Sequence, residues 1–330
     1  MSDGAALART LRNPMRPALL AASKSQRLEA LSQRFAFTRA VVSRFVAGDT
    51  LEDALPAVAQ LLATRFVSVD YLGENVRDRE QAQATVRAYL ALLDGLGGLR
   101  DELAARGRVL ADGAVEASIK LSAFGQSLPG GQSIALAGAQ EVCAKADEVG
   151  ALVTVDMEDH TTTDGTLALV RELRSDFPQT GAVLQSYLRR TEADCRDLAV
   201  PGSRIRLCKG AYQEPDSVAY QDKREVDSAY RRCLAILFEG GGYPMVASHD
   251  PAMIAEAGRL ASATRRVAAS YEYQMLYGVR PDEQARLAAS RARVRIYVPY
   301  GGQWYGYFTR RLAERPANVG FFLRALLGRR

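Results

Sequence analysis

Eight short runs of residues that favour strands recur along this chain, each followed by a longer stretch with helical spacing. The runs span 65–71, 117–123, 152–158, 182–188, 204–209, 244–249, 266–271 and 294–299. The helical stretches span 77–106, 133–149, 164–176, 190–198, 216–239, 251–262, 281–291 and 303–314. A helix between two strands carries the chain back across the sheet, so strictly alternating elements predict parallel pairing. Eight such units in about 250 residues are the count and size of a (βα)8 barrel. A doubly wound open sheet satisfies the same alternation, but it usually announces a dinucleotide with G-x-G-x-x-G after its first strand. No such match occurs, and the glycines at 95–98 fall inside a helical stretch. The expected fold is α/β: a TIM-like (βα)8 barrel over 63–330, with an N-terminal helical extension over 1–62 and a C-terminal helix over the barrel mouth.

Alternation within the runs separates two faces. In the second run Ile119 and Leu121 oppose Ser118, Lys120 and Ser122; in the fifth Ile205 and Leu207 oppose Arg204, Arg206 and Cys208; in the eighth Val294, Ile296 and Val298 oppose Arg295, Tyr297 and Pro299. Helices cover the outside of a barrel, so the apolar set faces outward and the polar set inward. Barrel interiors are ordinarily filled with Val, Ile and Leu, and active sites sit at the C-terminal strand ends. Lys120, Asp156, Gln185, Arg206, His249 and Tyr297 are therefore inward candidates for chemistry.

Each candidate has two readings. Lys120 is either a cation for an anionic substrate, braced by Asp156, or half of a structural ion pair. Arg206, Lys209 and Gly210 at one strand end suit an electron-rich or phosphate-bearing cofactor, or a salt bridge beside a turn. Asp156, Glu158, His160 and His249 could ligate a metal, but their spacing matches no ligand motif. On the last helical stretch Tyr307, Arg310, Arg311 and Glu314 share one face at i, i+3, i+4 and i+7. Two guanidiniums there either meet water or grip a carboxylate or phosphate.

The net charge of +5 over 330 residues is mild and dispersed, unlike the clustered basicity of a nucleic-acid binder. Four cysteines without a CxxC pair, and no signal peptide, predict reduced thiols in the cytoplasm. No apolar run approaches the length needed to span a bilayer. The basic, apolar tail over 321–330 either packs on the barrel or lies on anionic lipid at the inner face of the cell membrane.

The strings Ser118-Ile-Lys120-Leu-Ser, Val155-Asp156-Met-Glu, Leu184-Gln185-Ser-Tyr-Leu-Arg-Arg, Arg206-Leu-Cys-Lys209-Gly210-Ala211-Tyr212 and Tyr307-x-x-Arg310-Arg311-x-x-Glu314 together resemble proline dehydrogenase, in order, from about residue 66 to 325. The resemblance implies a barrel holding FAD non-covalently. It implies that L-proline is oxidised to Δ1-pyrroline-5-carboxylate by hydride transfer, with electrons passed to a membrane quinone. It places Lys120, Arg310 and Arg311 around the proline carboxylate and Tyr297 and Tyr307 over the ring. Asp156 supports Lys120 and Tyr297, Arg206 lies beside the reactive flavin nitrogen, and Glu314 orients an arginine. Met157, Gln185, Lys209, Gly210, Ala211, Ser248 and His249 match flavin contacts, and Glu74 matches a gate glutamate. Gln213 stands where many members carry tryptophan, which removes a ring that would stack on the adenine. Without an aldehyde dehydrogenase domain after the arginine helix, the resemblance further implies a monofunctional enzyme whose product passes to a separate pyrroline-5-carboxylate dehydrogenase. Tyr297 would crowd a 4-hydroxyl group, which favours proline over hydroxyproline.

Overall fold

The computed structural model describes residues 42–73 and 76–307. Among these, eight strands pair in parallel and in chain order: β1 Phe66–Tyr71, β2 Val115–Ile119, β3 Leu152–Val155, β4 Gly181–Gln185, β5 Arg204–Cys208, β6 Tyr243–Ala247, β7 Glu272–Leu276 and β8 Val294–Tyr300. β1 closes on β8, with Phe66 opposite Arg295 and Tyr71 opposite Tyr300. The barrel expected from the alternating pattern is therefore present.

Helix α1 (Leu51–Leu61) precedes β1, and α2 (Arg79–Ala105), α3 (Gly131–Glu148), α4 (Thr163–Asp176), α5 (Thr191–Leu198), α6 (Lys223–Glu239), α7 (Pro251–Ala263) and α8 (Pro281–Ala289) connect successive strands. Residues 304–307 are helical as well. Several helices start where an aspartate satisfies their first orphan amides. Asp78 accepts from Gln81 N–H at 2.9 Å, Asp222 from Arg224 N–H at 2.7 Å and Asp250 from Ala252 N–H at 3.0 Å. Thr50 and Asp53 form a reciprocal capping box at the head of α1. Residues Val46–Gly302 make one compact unit, so α1 belongs with the barrel, and the flanking residues belong to another. No described helix is long and apolar enough to cross a membrane.

The two strand faces differ as alternation requires. Val67, Val69, Ile119, Ile205, Leu207, Ile296 and Val298 are buried in one continuous apolar core beneath the helices. Each such side chain contributes roughly 1.5–3 kcal/mol relative to exposure. The alternate residues meet inside the barrel, where β1, β2, β3, β5 and β8 exchange polar contacts although several of these strands are not neighbours in the sheet.

The runs expected at 117–123, 152–158 and 182–188 end as strands at 119, 155 and 185, and two further boundaries differ more. The seventh strand is Glu272–Leu276, downstream of the 266–271 run. Arg266 instead caps the end of α6, donating to the carbonyls of Leu237, Phe238, Gly240 and Gly242, and Ala268–Ser270 is a 3-10 turn. The true strand lacks any β-branched residue, so its local signal is weak. Helix α6 starts at Lys223 rather than near 216, because the preceding loop bridges Leu188 to Ala219.

Candidate active site

Inward residues of six strands form a polar column from the barrel floor to its mouth. At the floor, Glu116 on β2 accepts from Arg204 Nη2, from Arg206 Nη2 at 2.7 Å and from Ser68 Oγ at 2.7 Å. Arg295 on β8 donates to Glu272 through Nε at 2.7 Å and Nη2 at 3.1 Å. One layer higher, Arg206 Nη1 donates to Asp156 Oδ1 at 2.6 Å and to Ser118 Oγ at 2.8 Å. The Tyr297 hydroxyl donates to Asp156 Oδ2 at 2.8 Å, and the Arg206 guanidinium carbon lies 5.4 Å from the Tyr297 ring centre. At the mouth, Lys120 Nζ sits 2.8 and 2.7 Å from the two Asp70 oxygens, 3.4 Å from Tyr297 Oη and 3.8 Å from Asp156. Tyr89 from α2 also donates to Asp70, at 3.1 Å.

The column is charge-balanced: Lys120, Arg204, Arg206 and Arg295 face Asp70, Glu116, Asp156 and Glu272. Buried charges are tolerated only when paired in this way. Burial opposes ionisation of Glu116, but Arg295, Arg204 and Arg206 outweigh it and hold the carboxyl far below its ordinary range. Burial likewise opposes ionisation of Glu272, and Arg295 outweighs it. Asp70 goes the other way: burial raises it more than Lys120 lowers it. Burial, then Asp156 and Asp70, push the Tyr297 phenol well above its ordinary value, so it stays a donor.

Around the rim, the ends of β4, β5 and β6 supply the other predicted residues. Gln185 Nε2 donates to the carbonyl of Met157 at 3.3 Å. Gly210 has φ +108°, and a Cβ there would lie 2.2–2.6 Å from ring carbons of Tyr187. Only glycine fits both that conformation and that contact. Partly exposed Ala211 follows it. Ser248 Oγ accepts from Asp250 N–H at 3.1 Å, and His249 Nε2 accepts from Leu276 N–H at 2.8 Å. Three buried polar atoms here have no partner among the described residues: Arg206 Nε, Gln185 Oε1 and Ser186 Oγ.

The structure thus brings together Lys120, Asp156, Arg206 and Tyr297, and corrects one relation among them. Asp70, not Asp156, is the main partner of Lys120. Lys209 is held by Asp227 and, at 2.7 Å, by Asp250. Glu158 is committed to Ser122, and His160 to Glu214, so neither joins Asp156. Tyr307 is described and buried. Glu74, Arg310, Arg311, Glu314 and the 321–330 tail lie outside the described residues. Sequence reading missed Ser68, Asp70, Glu116 and Glu272. The signal was available: in Phe66-Val-Ser68-Val-Asp70-Tyr, alternation alone sets Ser68 and Asp70 inward.

A sequence model of the proline dehydrogenase family matches residues 56–324. The chain is 37% identical to "Proline dehydrogenase" of Deinococcus radiodurans over 318 residues, covering 94% of this chain and 97% of that protein. It is 35% identical to "Proline dehydrogenase 1" of Bacillus subtilis over 293 residues, covering 88% and 92% respectively. Among solved structures it resembles proline utilization A from Bdellovibrio bacteriovorus, crystallised after inactivation by N-propargylglycine, with a TM-score of 0.76 at 24% identity. That alignment covers 87% of this chain but spans only 33% of the larger polypeptide. It establishes the shared fold.

Proposed function

The chain belongs to the proline dehydrogenase family, and from that premise we propose that it oxidises L-proline to Δ1-pyrroline-5-carboxylate with non-covalently bound FAD and passes the electrons to a membrane quinone. The observation that carries this reading is the unpartnered Nε of Arg206 on β5 together with the unpartnered Oε1 of Gln185 on the adjacent strand β4. A flavin ring edge presents both hydrogen-bond acceptors and an N–H donor. A buried orphan donor and a buried orphan acceptor on inward positions of adjacent strands fit such an edge. The Gly210 turn supports the same reading, because it lets backbone approach a ligand closely. When bound, FAD supplies the acceptor for the hydride lost from C5 of proline.

The residues of the chain bind, orient and polarise. Lys120, fixed by Asp70, presents its ammonium at the mouth. The sequence motifs assign Arg310 and Arg311 to the proline carboxylate with Lys120, Tyr297 and Tyr307 to the walls of the pyrrolidine ring, and Glu314 to orienting an arginine. Arg206, held on both Nη atoms, contributes a fixed positive charge where electron density accumulates. Asp156 joins Arg206, Tyr297 and Lys120, so one carboxylate aligns the charge, the wall and the seat. Seating the carboxylate converts binding energy into orientation of the C–H bond. Met157, Lys209, Ala211, Ser248 and His249 line the cofactor side, and the sequence motif assigns Glu74 to the gate. No side-chain base is required when the amine enters unprotonated.

The test is spectral. Purified protein is expected to be yellow, and its visible absorbance to fall on anaerobic addition of L-proline and to return on addition of a quinone. A protein that takes up no FAD, or whose flavin spectrum does not respond to proline, refutes the reading.

A further inference from the structure

Glu116 takes no part in the chemistry described so far, yet it is fully buried and sits directly beneath Arg206. Its carboxylate binds Arg206 Nη2 at 2.7 Å and Arg204, accepts from Ser68 Oγ at 2.7 Å, and lies 4.0 Å from Arg295 Nε. Arg206 is held at two corners, by Glu116 and Ser68 on Nη2 and by Asp156 and Ser118 on Nη1. A planar guanidinium fixed at both corners has one orientation, which sets the direction of its free Nε–H. Asp156 is partly exposed at the mouth, whereas Glu116 is sealed in the barrel and no ligand can displace it. Glu116 is also the carboxylate around which three arginines converge.

We propose that Glu116 is a positioning residue for the redox chemistry: it fixes Arg206 from below and offsets the positive charge that three arginines would otherwise project to the barrel mouth. The inference rests on the reading that Arg206 lies beside the bound flavin. Neutralising Glu116 leaves the column with one cation in excess next to Arg206. Added positive charge favours adding electrons to a nearby acceptor. The flavin of Glu116→Gln is therefore expected to be easier to reduce than that of the wild type.

The experiment is anaerobic reductive titration of the FAD-loaded protein against a reference dye. For Glu116→Gln the equilibrium constant for two-electron reduction is expected to rise roughly tenfold, which is about +30 mV in midpoint potential. Glu272→Gln removes an equally buried charge that touches Arg295 but not Arg206, and is expected to shift the midpoint less. A purely structural role for Glu116 would lower thermal stability and leave the midpoint in place. A Glu116→Gln midpoint equal to wild type, or moved no further than that of Glu272→Gln, overturns the proposal. If Glu116→Gln does not fold, Arg204→Gln carries the test. It leaves Glu116 under-compensated, so the midpoint should move negative, and an unmoved midpoint overturns the proposal. A wild-type protein that binds no FAD overturns the flavin reading together with this one, whereas a flavin-loaded wild type with unmoved variants overturns this one alone.

Discussion

Replacing Asp70 by asparagine tests the claim that Lys120 is held in place by β1. The Asp70 carboxylate is fully buried and meets Lys120 through both oxygens, at 2.8 and 2.7 Å. Asp70→Asn keeps the shape and removes the charge, leaving a largely buried ammonium without its main partner. Removing one member of a buried pair costs ~3–5 kcal/mol. Asp156 at 3.8 Å and a Lys120 side chain 12% exposed offer partial relief, which places the expectation near the low end, at about 3 kcal/mol. At about 1.4 °C per kcal/mol for 330 residues, Tm should fall by about 4 °C. Lys120→Met should cost less, because burial already raises the Asp70 carboxyl and lets it take up a proton. The double variant Asp70→Asn with Lys120→Met should recover much of the loss, since no charge is then stranded. Chemical and thermal unfolding of the four proteins measures the cycle. An Asp70→Asn loss under about 1 kcal/mol, or strictly additive single losses, would refute the assignment.

Other consequences are open to equally direct measurement. Gly210→Ala forces a methyl into the Tyr187 ring, and FAD affinity measured by fluorescence titration should drop by about tenfold or more, costing ~1–3 kcal/mol of backbone strain; unchanged affinity would remove Gly210 from the cofactor side. Arg310→Met and Arg311→Met should each raise the proline KM by more than ~10-fold, or ~1.4 kcal/mol, with flavin content unchanged; near-wild-type steady-state kinetics for both would dismiss the carboxylate seat. Glu116 and Glu272 titrate below their ordinary value of 4.5 in the folded chain, so their stabilisation is complete above that value and is lost as pH falls below it. Asp70, raised by burial, acts in the opposite sense, since its contribution is lost as pH rises through its folded value. Tm measured against pH should therefore decline less steeply below pH ~4.5 in Glu116→Gln than in wild type, and parallel acid limbs would contradict the sign.

The alternation of strand-like and helical segments determined a parallel α/β sheet, because a helix returning between strands leaves only parallel pairing, and the count of eight units without a G-x-G-x-x-G match favoured a closed barrel over an open sheet. Side-chain alternation then set Lys120, Arg206 and Tyr297 inward, since strand period is a local property of the backbone. The seventh strand escaped because Glu272–Leu276 has no β-branched residue, and what makes it a strand is its place between β6 and β8. Tertiary structure alone decided the pairings. Lys120 is 50 residues from Asp70 and 36 from Asp156, β2 pairs with both β1 and β3, and the placement of the three strand ends makes Asp70 the nearer. Barrel closure then sets Glu116 from β2 beneath Arg206 from β5, two strands that are not hydrogen-bonded neighbours. Sequence fixes which charges point inward; which of them meet depends on the stagger and tilt of strands far apart in the chain, and those are set by the closed sheet as a whole.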